Sequence, residues 1–321
     1  MLRRLTAEPR AFALHAPFRI ARGVKTVAEV VEVRVEEAGV VGRGEGVPYP
    51  RYGESVAGAL AAIEAVRAAV EAGAGRSELL LLMPAGAARN ALDAALWDLD
   101  VGLGRAVLPT AMPTETAVTV GIDTPRAMHA AALALGAVPL VKVKVDGEAV
   151  ADRVAAVRRA LPDARMIVDA NESWTLDTLR AVAPALVEAR VDLVEQPLPA
   201  DADDALAGFA APFPIAADES AHGIADLDRL KGRYSHINIK LDKAGGLTAA
   251  LVLADAAEAA GLGLMLGCMV ASSLGIAPAL RLARRAAFVD LDGPWWLAED
   301  RAGGGRIVGG RMTPPAPGFW A

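Results

Sequence analysis

Two rhythms of apolar and polar positions divide the chain. Residues 28–36 alternate apolar and polar with period two, as a strand with one buried face does. Gly39-Val40-Val41-Gly42 then turns into a second strand. Two alanine-rich stretches follow, 54–71 and 79–99, and their spacing predicts helices, the second ending before Gly102 and Gly104. Strands first and helices after make an α+β unit to about residue 112.

From about residue 115 short apolar runs recur roughly every 22–26 residues, each followed by an alanine-rich helical stretch. Runs at 117–121, 139–145, 165–169, 191–195, 214–218, 236–240, 262–267 and 288–292 predict eight strands. Continuous apolar runs are what strands need when both faces are covered. Even spacing favours closure into an α/β fold of the (β/α)8-type, a modified TIM barrel, over an open doubly wound sheet. The expected organisation is an N-terminal α+β capping domain over 1–112 and a catalytic barrel over 113–300. A Gly- and Pro-rich segment over 301–321 then returns to the capping domain.

Composition changes this picture in a few places. With 321 residues, 54% of them hydrophobic, the chain has enough apolar surface for a large core. A net charge of -6 argues against a nucleic-acid partner. The single Cys268 excludes an internal disulfide and suits a reducing cytoplasm. Met1-Leu2-Arg3-Arg4-Leu5 does not read as a secretory leader, and no uncharged stretch is long enough to span a bilayer. With only four histidines, any metal is expected on oxygen ligands. The oligomeric state stays open, a homo-oligomer included.

Chemistry in a βα barrel sits at the C-terminal strand ends, and here those ends are charged. Alternation puts Lys142 and Lys144 on one strand face, where repulsion and desolvation would both lower a lysine pKa toward that of a general base. An amphipathic strand with a solvated lysine face, or a guarded edge strand, is the plainer alternative. Asp169, Glu195 and Asp218 end three adjacent strands, so their carboxylates are expected to converge. Three close carboxylates repel unless a cation neutralises them, and all-oxygen ligation suits Mg2+. Helix N-capping explains any one of them but not three in succession. Lys144 and Lys240 then flank the metal from strands two and six, able to serve opposite faces of a bound carboxylate's α-carbon. An ion pair with Asp242 or Asp218 is the structural alternative for Lys240. Asp290 and Asp292 alternate on strand eight, and paired carboxylates facing a pocket want a cation. Asp292-Gly293-Pro294 is also turn chemistry, which explains Asp292 alone.

The Lys-x-Lys pair, the spaced carboxylates and Asn238-Ile239-Lys240-Leu241-Asp242-Lys243-Ala244-Gly245-Gly246 resemble the muconate-lactonising-enzyme subgroup of the enolase superfamily over nearly the whole chain. Tyr49-Pro50-Arg51-Tyr52-Gly53-Glu54-Ser55, Asp169-Ala170-Asn171-Glu172-Ser173-Trp174 and Asp290-Leu291-Asp292-Gly293-Pro294 are more similar still to the L-Ala-D/L-Glu dipeptide epimerases. The resemblance implies Mg2+ on Asp169, Glu195 and Asp218, with Lys144 and Lys240 as the acid/base pair. It implies that Lys142 lowers its neighbour's pKa and touches the substrate carboxylate. Asp290 and Asp292 would take a dipeptide's α-ammonium. Arg22, in a closing loop of the capping domain, would meet the glutamate side chain, with Arg19 as its rival. The implied reaction is epimerisation of L-Ala-D-Glu to L-Ala-L-Glu by 1,1-proton transfer through an ene-diolate, in murein peptide recycling. An N-acylamino-acid racemase, or a lyase or cycloisomerase of the same subgroup, is the alternative, but their substrates carry no ammonium for Asp290 and Asp292. A non-catalytic sugar-acid or peptide-binding barrel fits intact lysines on both faces poorly.

Overall fold

Glycine on a strand lets a helix approach to backbone distance, and the N-terminal domain is built this way. The structure, a computed structural model, describes residues 3–321. Strands β1 (Arg4–Ile20), β2 (Gly23–Glu37) and β3 (Val40–Gly46) form an antiparallel sheet in that order. Helices α1 (Val56–Glu71), α2 (Arg76–Leu82) and α3 (Ala87–Gly102) follow. Gly42, Gly44 and Gly46 share one face of β3, where a Cβ would stand 2.1, 2.0 and 2.1 Å from the carbonyl oxygens of Ala95, Ala91 and Ala87. Only glycine allows that approach, and α3 meets it with an alanine every fourth residue. Val31, Val33 and Val35 of β2 complete the buried layer with Leu92, Leu96 and Leu99. Glu45, between two of these glycines, faces the other way and is buried toward the barrel.

Two features of this domain differ from the sequence expectation. β1 is a strand of 17 residues outside that expectation: it is a half-exposed edge whose alternation sets half-buried against exposed positions, with Leu5 alone buried, and its register shifts between Ala13 and Phe18. The helix expected over 79–99 is two helices, broken where Pro84 lacks an amide hydrogen and Gly86 takes φ 148°.

After the short strand β4 (Thr114–Glu115), eight parallel strands pair in sequence order. They are β5 (Val118–Val120), β6 (Leu140–Lys144), β7 (Arg165–Asp169), β8 (Leu193–Glu195), β9 (Ile215–Ala217), β10 (His236–Ile239), β11 (Gly263–Gly267) and β12 (Phe288–Asp290). A hydrogen bond from Ala117 N to Val289 O, 2.8 Å, links the first strand to the last. Helices α4 (Pro125–Ala134), α5 (Val150–Ala160), α6 (Leu176–Glu188), α7 (Leu227–Leu230), α8 (Leu241–Ala244), α9 (Leu247–Ala259) and α10 (Ser273–Ile276) lie between them. No α-helix follows β8, where the expected helical stretch carries Pro197, Pro199, Gly208, Pro212 and Pro214 and forms one 3₁₀ turn, Asp203–Leu206. A final hairpin, β13 (Arg306–Val308) and β14 (Arg311–Thr313), pairs with β4, and Trp320 Nε1 donates to Arg43 O at 3.0 Å.

Alternation explains why charge collects at one end of the barrel. Leu140, Ile167, Leu193, Ala216, Met265 and Phe288 form a separate buried apolar cluster inside it. Val141, Val143, Val168 and Val194 belong to the large core shared with the helices. Two residues beyond the inner layer come Lys142, Asp169, Glu195, Asp218 and Asp290, facing inward at the C-terminal strand ends. Strand eight stops at Asp290. Asp292 precedes a 3₁₀ turn over Gly293–Trp296, with Trp295 N donating to Asp292 O at 3.0 Å, so it is a turn residue rather than the end of the strand.

Candidate active site

Lys142 stands at the centre of the charged layer. Its Nζ lies 3.0 Å from Asp169 Oδ2, 2.7 Å from Glu195 Oε2 and 2.7 Å from Asp290 Oδ2. Burial alone would lower this ammonium, but Asp169, Asp290 and Glu195 outweigh it and hold Lys142 well above the ordinary lysine range. Three carboxylates thus set the charge of Lys142. Lys144 Nζ, two residues on, lies 2.5 Å from Asp169 Oδ2 and donates to Asn171 Oδ1 at 3.2 Å.

The opposite side of the barrel mirrors this. Lys240 Nζ is 2.7 Å from Asp218 Oδ2, and Lys243 Nζ is 2.6 Å from Asp218 Oδ1. Lys240 is held well above its ordinary range, because Asp218 and Glu195 outweigh its burial. The ion pair of Lys240 with Asp218, weighed above as a structural alternative, is present. Lys243 went unremarked in the sequence, although helix spacing returns it to the side of Lys240 through α8.

Asp169, Glu195 and Asp218 are buried at the ends of adjacent strands, Asp169 in register with Glu195. Among the described residues no three acidic, histidine or cysteine side chains surround a metal-sized site, because lysine ammoniums lie between the carboxylates. Burial and the charges of Asp169 and Asp218 push Glu195 well up, and its Oε2, though near Lys142, makes no hydrogen bond. A buried all-oxygen set in which one carboxylate oxygen, Glu195 Oε2, has a nearby cation but no hydrogen bond is chemistry that fits a hard divalent cation.

Asp290 Oδ1 is buried without a hydrogen-bond partner, while Asp292 Oδ2 accepts from Thr119 N at 2.8 Å and Trp296 Nε1 at 3.3 Å. Both line the same pocket as Lys142, Lys144 and Lys240. Burial, then the charge of Asp290, pushes Asp292 up.

The N-terminal hairpin covers this pocket. Phe18, Ile20, Arg22 and Lys25 line it, whereas Arg19 is exposed. The Arg22 guanidinium is held by Glu219 at 2.6 Å, Glu172 at 3.2 Å and Asn171 O at 3.1 Å. Arg51 grips the same Glu172 through two bonds of 2.8 and 2.7 Å. Asn171 and Glu172 take φ 45° and 69°, left-handed conformations that cost non-glycine residues energy and gather at functional sites. Lys25 Nζ lies 4.5 Å from the centre of the Tyr49 ring. The sequence reading missed Lys25, since a lone lysine on a hairpin carries no pattern.

Residues 3–107 match the mandelate racemase / muconate lactonizing enzyme N-terminal domain family, and residues 126–319 match the enolase C-terminal domain-like family. The chain is similar to the L-Ala-D/L-Glu epimerase of Escherichia coli K12, 49% identical over 90% of this chain and 93% of that protein. It is 43% identical to the N-acetyl-D-glutamate racemase of a Pseudoalteromonas species, over 91% and 95%. Among solved structures it resembles an enolase family member from Agrobacterium tumefaciens with homology to dipeptide epimerases, bound to sodium and L-Ala-L-Glu. There the TM-score is 0.95 at 44% identity, covering 99% of this chain and 100% of that one. A dipeptide epimerase from Enterococcus faecalis, complexed with Mg and L-Leu-L-Tyr, gives a TM-score of 0.90 at 30% identity, covering 98% and 97%.

Proposed function

Because this chain belongs to the mandelate racemase / muconate lactonizing enzyme family of the enolase type, we propose that it is an isomerase that epimerises dipeptides with Mg2+, L-Ala-D-Glu and L-Ala-L-Glu first among them. One observation carries this reading: Lys144 and Lys240, from the second and sixth strands of the barrel, line one pocket together with Asp290, whose buried Oδ1 has no hydrogen-bond partner. A lysine amine on one side and a lysine ammonium on the other serve proton exchange at two faces of one carbon, and the free carboxylate oxygen suits a substrate with a cationic end.

Asp169, Glu195 and Asp218 would hold the metal. When bound, it supplies positive charge that offsets the charge developing on the substrate carboxylate. One lysine, as the neutral amine, takes the α-proton, and the opposed lysine, as the ammonium, gives a proton to the other face, inverting the centre. Asn171, accepting from Lys144, and Asp218, paired with Lys240, fix the two side chains in position. Arg22 and Arg51, through Glu219 and Glu172, keep the hairpin and the 49–53 segment down, which excludes water. Lys142 holds Asp290 in place and contributes a charge beside the substrate carboxylate. Glutamate-containing dipeptides arise when murein peptides are broken down, so recycling of such peptides in the cytoplasm is the role we assign.

An N-acetylglutamate racemase is the second reading, favoured by the Pseudoalteromonas relative. It leaves Asp290 Oδ1 without a cation. Incubation in deuterated water with a dipeptide library and N-acetylglutamate, read by mass spectrometry, tests both. Deuterium with inversion on free dipeptides is expected, abolished by EDTA and restored by Mg2+. Asp218→Asn is expected to weaken Mg2+ binding in calorimetry and to cut turnover. Full turnover after exhaustive chelation would overturn the metal assignment. Turnover of N-acetylglutamate alone would replace the first reading with the second.

A further inference from the structure

The loop after β11 forms one wall of the pocket with Cys268, Met269 and Val270. It ends at Ser272, whose hydroxyl caps α10 by accepting from Leu274 N at 3.2 Å. What holds this loop comes from outside the barrel. Glu45 of β3 accepts from Ser272 N through Oε1 at 2.8 Å and from the Ser272 hydroxyl through Oε2. Arg301, from the segment after strand eight, closes the network. Its Nε donates to Ser272 Oγ at 2.7 Å, its Nη2 lies 2.8 Å from Glu45 Oε2, and its Nη1 lies 2.7 Å from Glu32 Oε2.

The loop has little freedom on its other side. A Cβ on Gly293 would stand 2.6 Å from Met269 O and 3.0 Å from Ala271 N, so the start of the turn after Asp292 presses on it directly. Gly275 of α10 is similarly close, with a Cβ there 3.1 Å from Glu45 Oε1. The wall is thus wedged between the N-terminal sheet and the residues that carry Asp290 and Asp292.

Glu32 and Glu45 are each about 1% exposed. Burying two carboxylates is costly even though Arg301 pairs with both and Arg34 and Arg10 also pair with Glu32, and an apolar contact would join the domains as well or better. What the ionic network adds is direction: three hydrogen bonds fix one position for Ser272, and two ion pairs hold the Arg301 that makes one of them. The α3 alanines packed on Gly44 and Gly46 fix the strand that carries Glu45 in turn.

We propose that Glu45 is a positioning residue: through Ser272 it sets the stand of the Cys268–Val270 wall, and so the size of the first side chain a dipeptide substrate can carry. The inference rests on the dipeptide reading above. If Asp290 takes the α-ammonium, the side chain of that same first residue lies beside the wall that adjoins it.

The test compares Glu45→Gln, Ser272→Ala and the double variant. kcat/KM is measured for L-Ala-L-Glu, L-Val-L-Glu and L-Phe-L-Glu, with Tm and amide hydrogen exchange over 268–272. Glu45→Gln is expected to shift the L-Phe-L-Glu to L-Ala-L-Glu ratio by about tenfold toward the larger residue, mainly through KM. Ser272→Ala should reproduce the shift, and the double variant should add little, since both break one contact. Exchange over 268–272 should quicken in each. A lower Tm with all three substrates falling by the same factor, or an unchanged ratio with unchanged exchange, would overturn the proposal. If the unsubstituted enzyme turns over no dipeptide, the functional reading fails, while quickened exchange would still uphold Glu45 as the clamp of this loop.

Discussion

Lys142 Nζ lies 2.7 Å from Asp290 Oδ2, tying the second strand of the barrel to the eighth across its mouth. Asp290 therefore acts through two oxygens: one holds Lys142, and the other is buried without a partner. A charge-assisted hydrogen bond to the free oxygen would contribute roughly 1.5–3 kcal/mol, or about one to two decades in rate. Asp290→Asn should lower kcat/KM for L-Ala-L-Glu by that much. N-acetyl-L-Ala-L-Glu lacks the ammonium and should lose less, only what the loosening of Lys142 costs. Equal losses on both would remove Asp290 from recognition of the amino end. Asp292 is expected to behave otherwise, because it binds Thr119 N and Trp296 Nε1. Asp292→Ala should lower Tm and reduce both activities alike.

The two lysines can be separated by stereochemistry. Lys144→Ala and Lys240→Ala should each stop epimerisation, since one face loses its proton carrier. Each should still exchange the α-proton with deuterated solvent from one epimer, and the two variants should choose opposite epimers. Exchange of the same epimer by both, followed by proton NMR, would rule out opposed lysines.

Much of this site was legible in the sequence because barrel alternation is strict. An apolar run ending in Asp169, Glu195 or Asp218 can place the charge only at the strand end, and all eight runs became strands. What spacing could not show was which charges pair. Lys142 lies among three carboxylates drawn from three different strands, so its raised pKa depends on contacts 27 to 148 positions away that no local pattern encodes. β1 was invisible for another reason: as a half-exposed edge it lacks the one-sided core that makes β2 readable. The helix expected after β8 failed on prolines, where composition misled and local backbone chemistry decided.

Acid stability should depend on Glu37 at the end of β2. Arg105 and Arg3 hold its carboxyl at about 2, below the ordinary 4.5, with contacts of 2.5 and 2.7 Å. A depressed carboxylate stabilises the fold above its unfolded pKa and loses that contribution as pH falls through its folded one. The window is therefore from about 4.5 down to about 2. Across it the Tm of the unsubstituted protein should fall more steeply than that of Glu37→Gln. Parallel slopes would show that these guanidinium contacts contribute nothing to folding.

Two cations of the covering hairpin compete for the side-chain carboxylate of a glutamate-containing dipeptide. Arg22 lines the pocket, but Glu219, Glu172 and Asn171 O already engage its guanidinium. Lys25 lines the same pocket with its ammonium over the Tyr49 ring, and among the described residues no carboxylate forms an ion pair with it. Burial lowers its pKa, so an incoming carboxylate would restore what desolvation takes away. Lys25 thus has more to gain from such a substrate than Arg22. Lys25→Met should raise KM for L-Ala-L-Glu by about tenfold or more, the scale of one charge-assisted hydrogen bond. L-Ala-L-Leu, which has no second carboxylate, should be spared. Arg22→Gln should weaken both substrates together, because it releases the hairpin from Glu219 and Glu172. The reverse pattern, with Arg22→Gln selective for the acidic dipeptide and Lys25→Met without effect, would return the glutamate contact to Arg22.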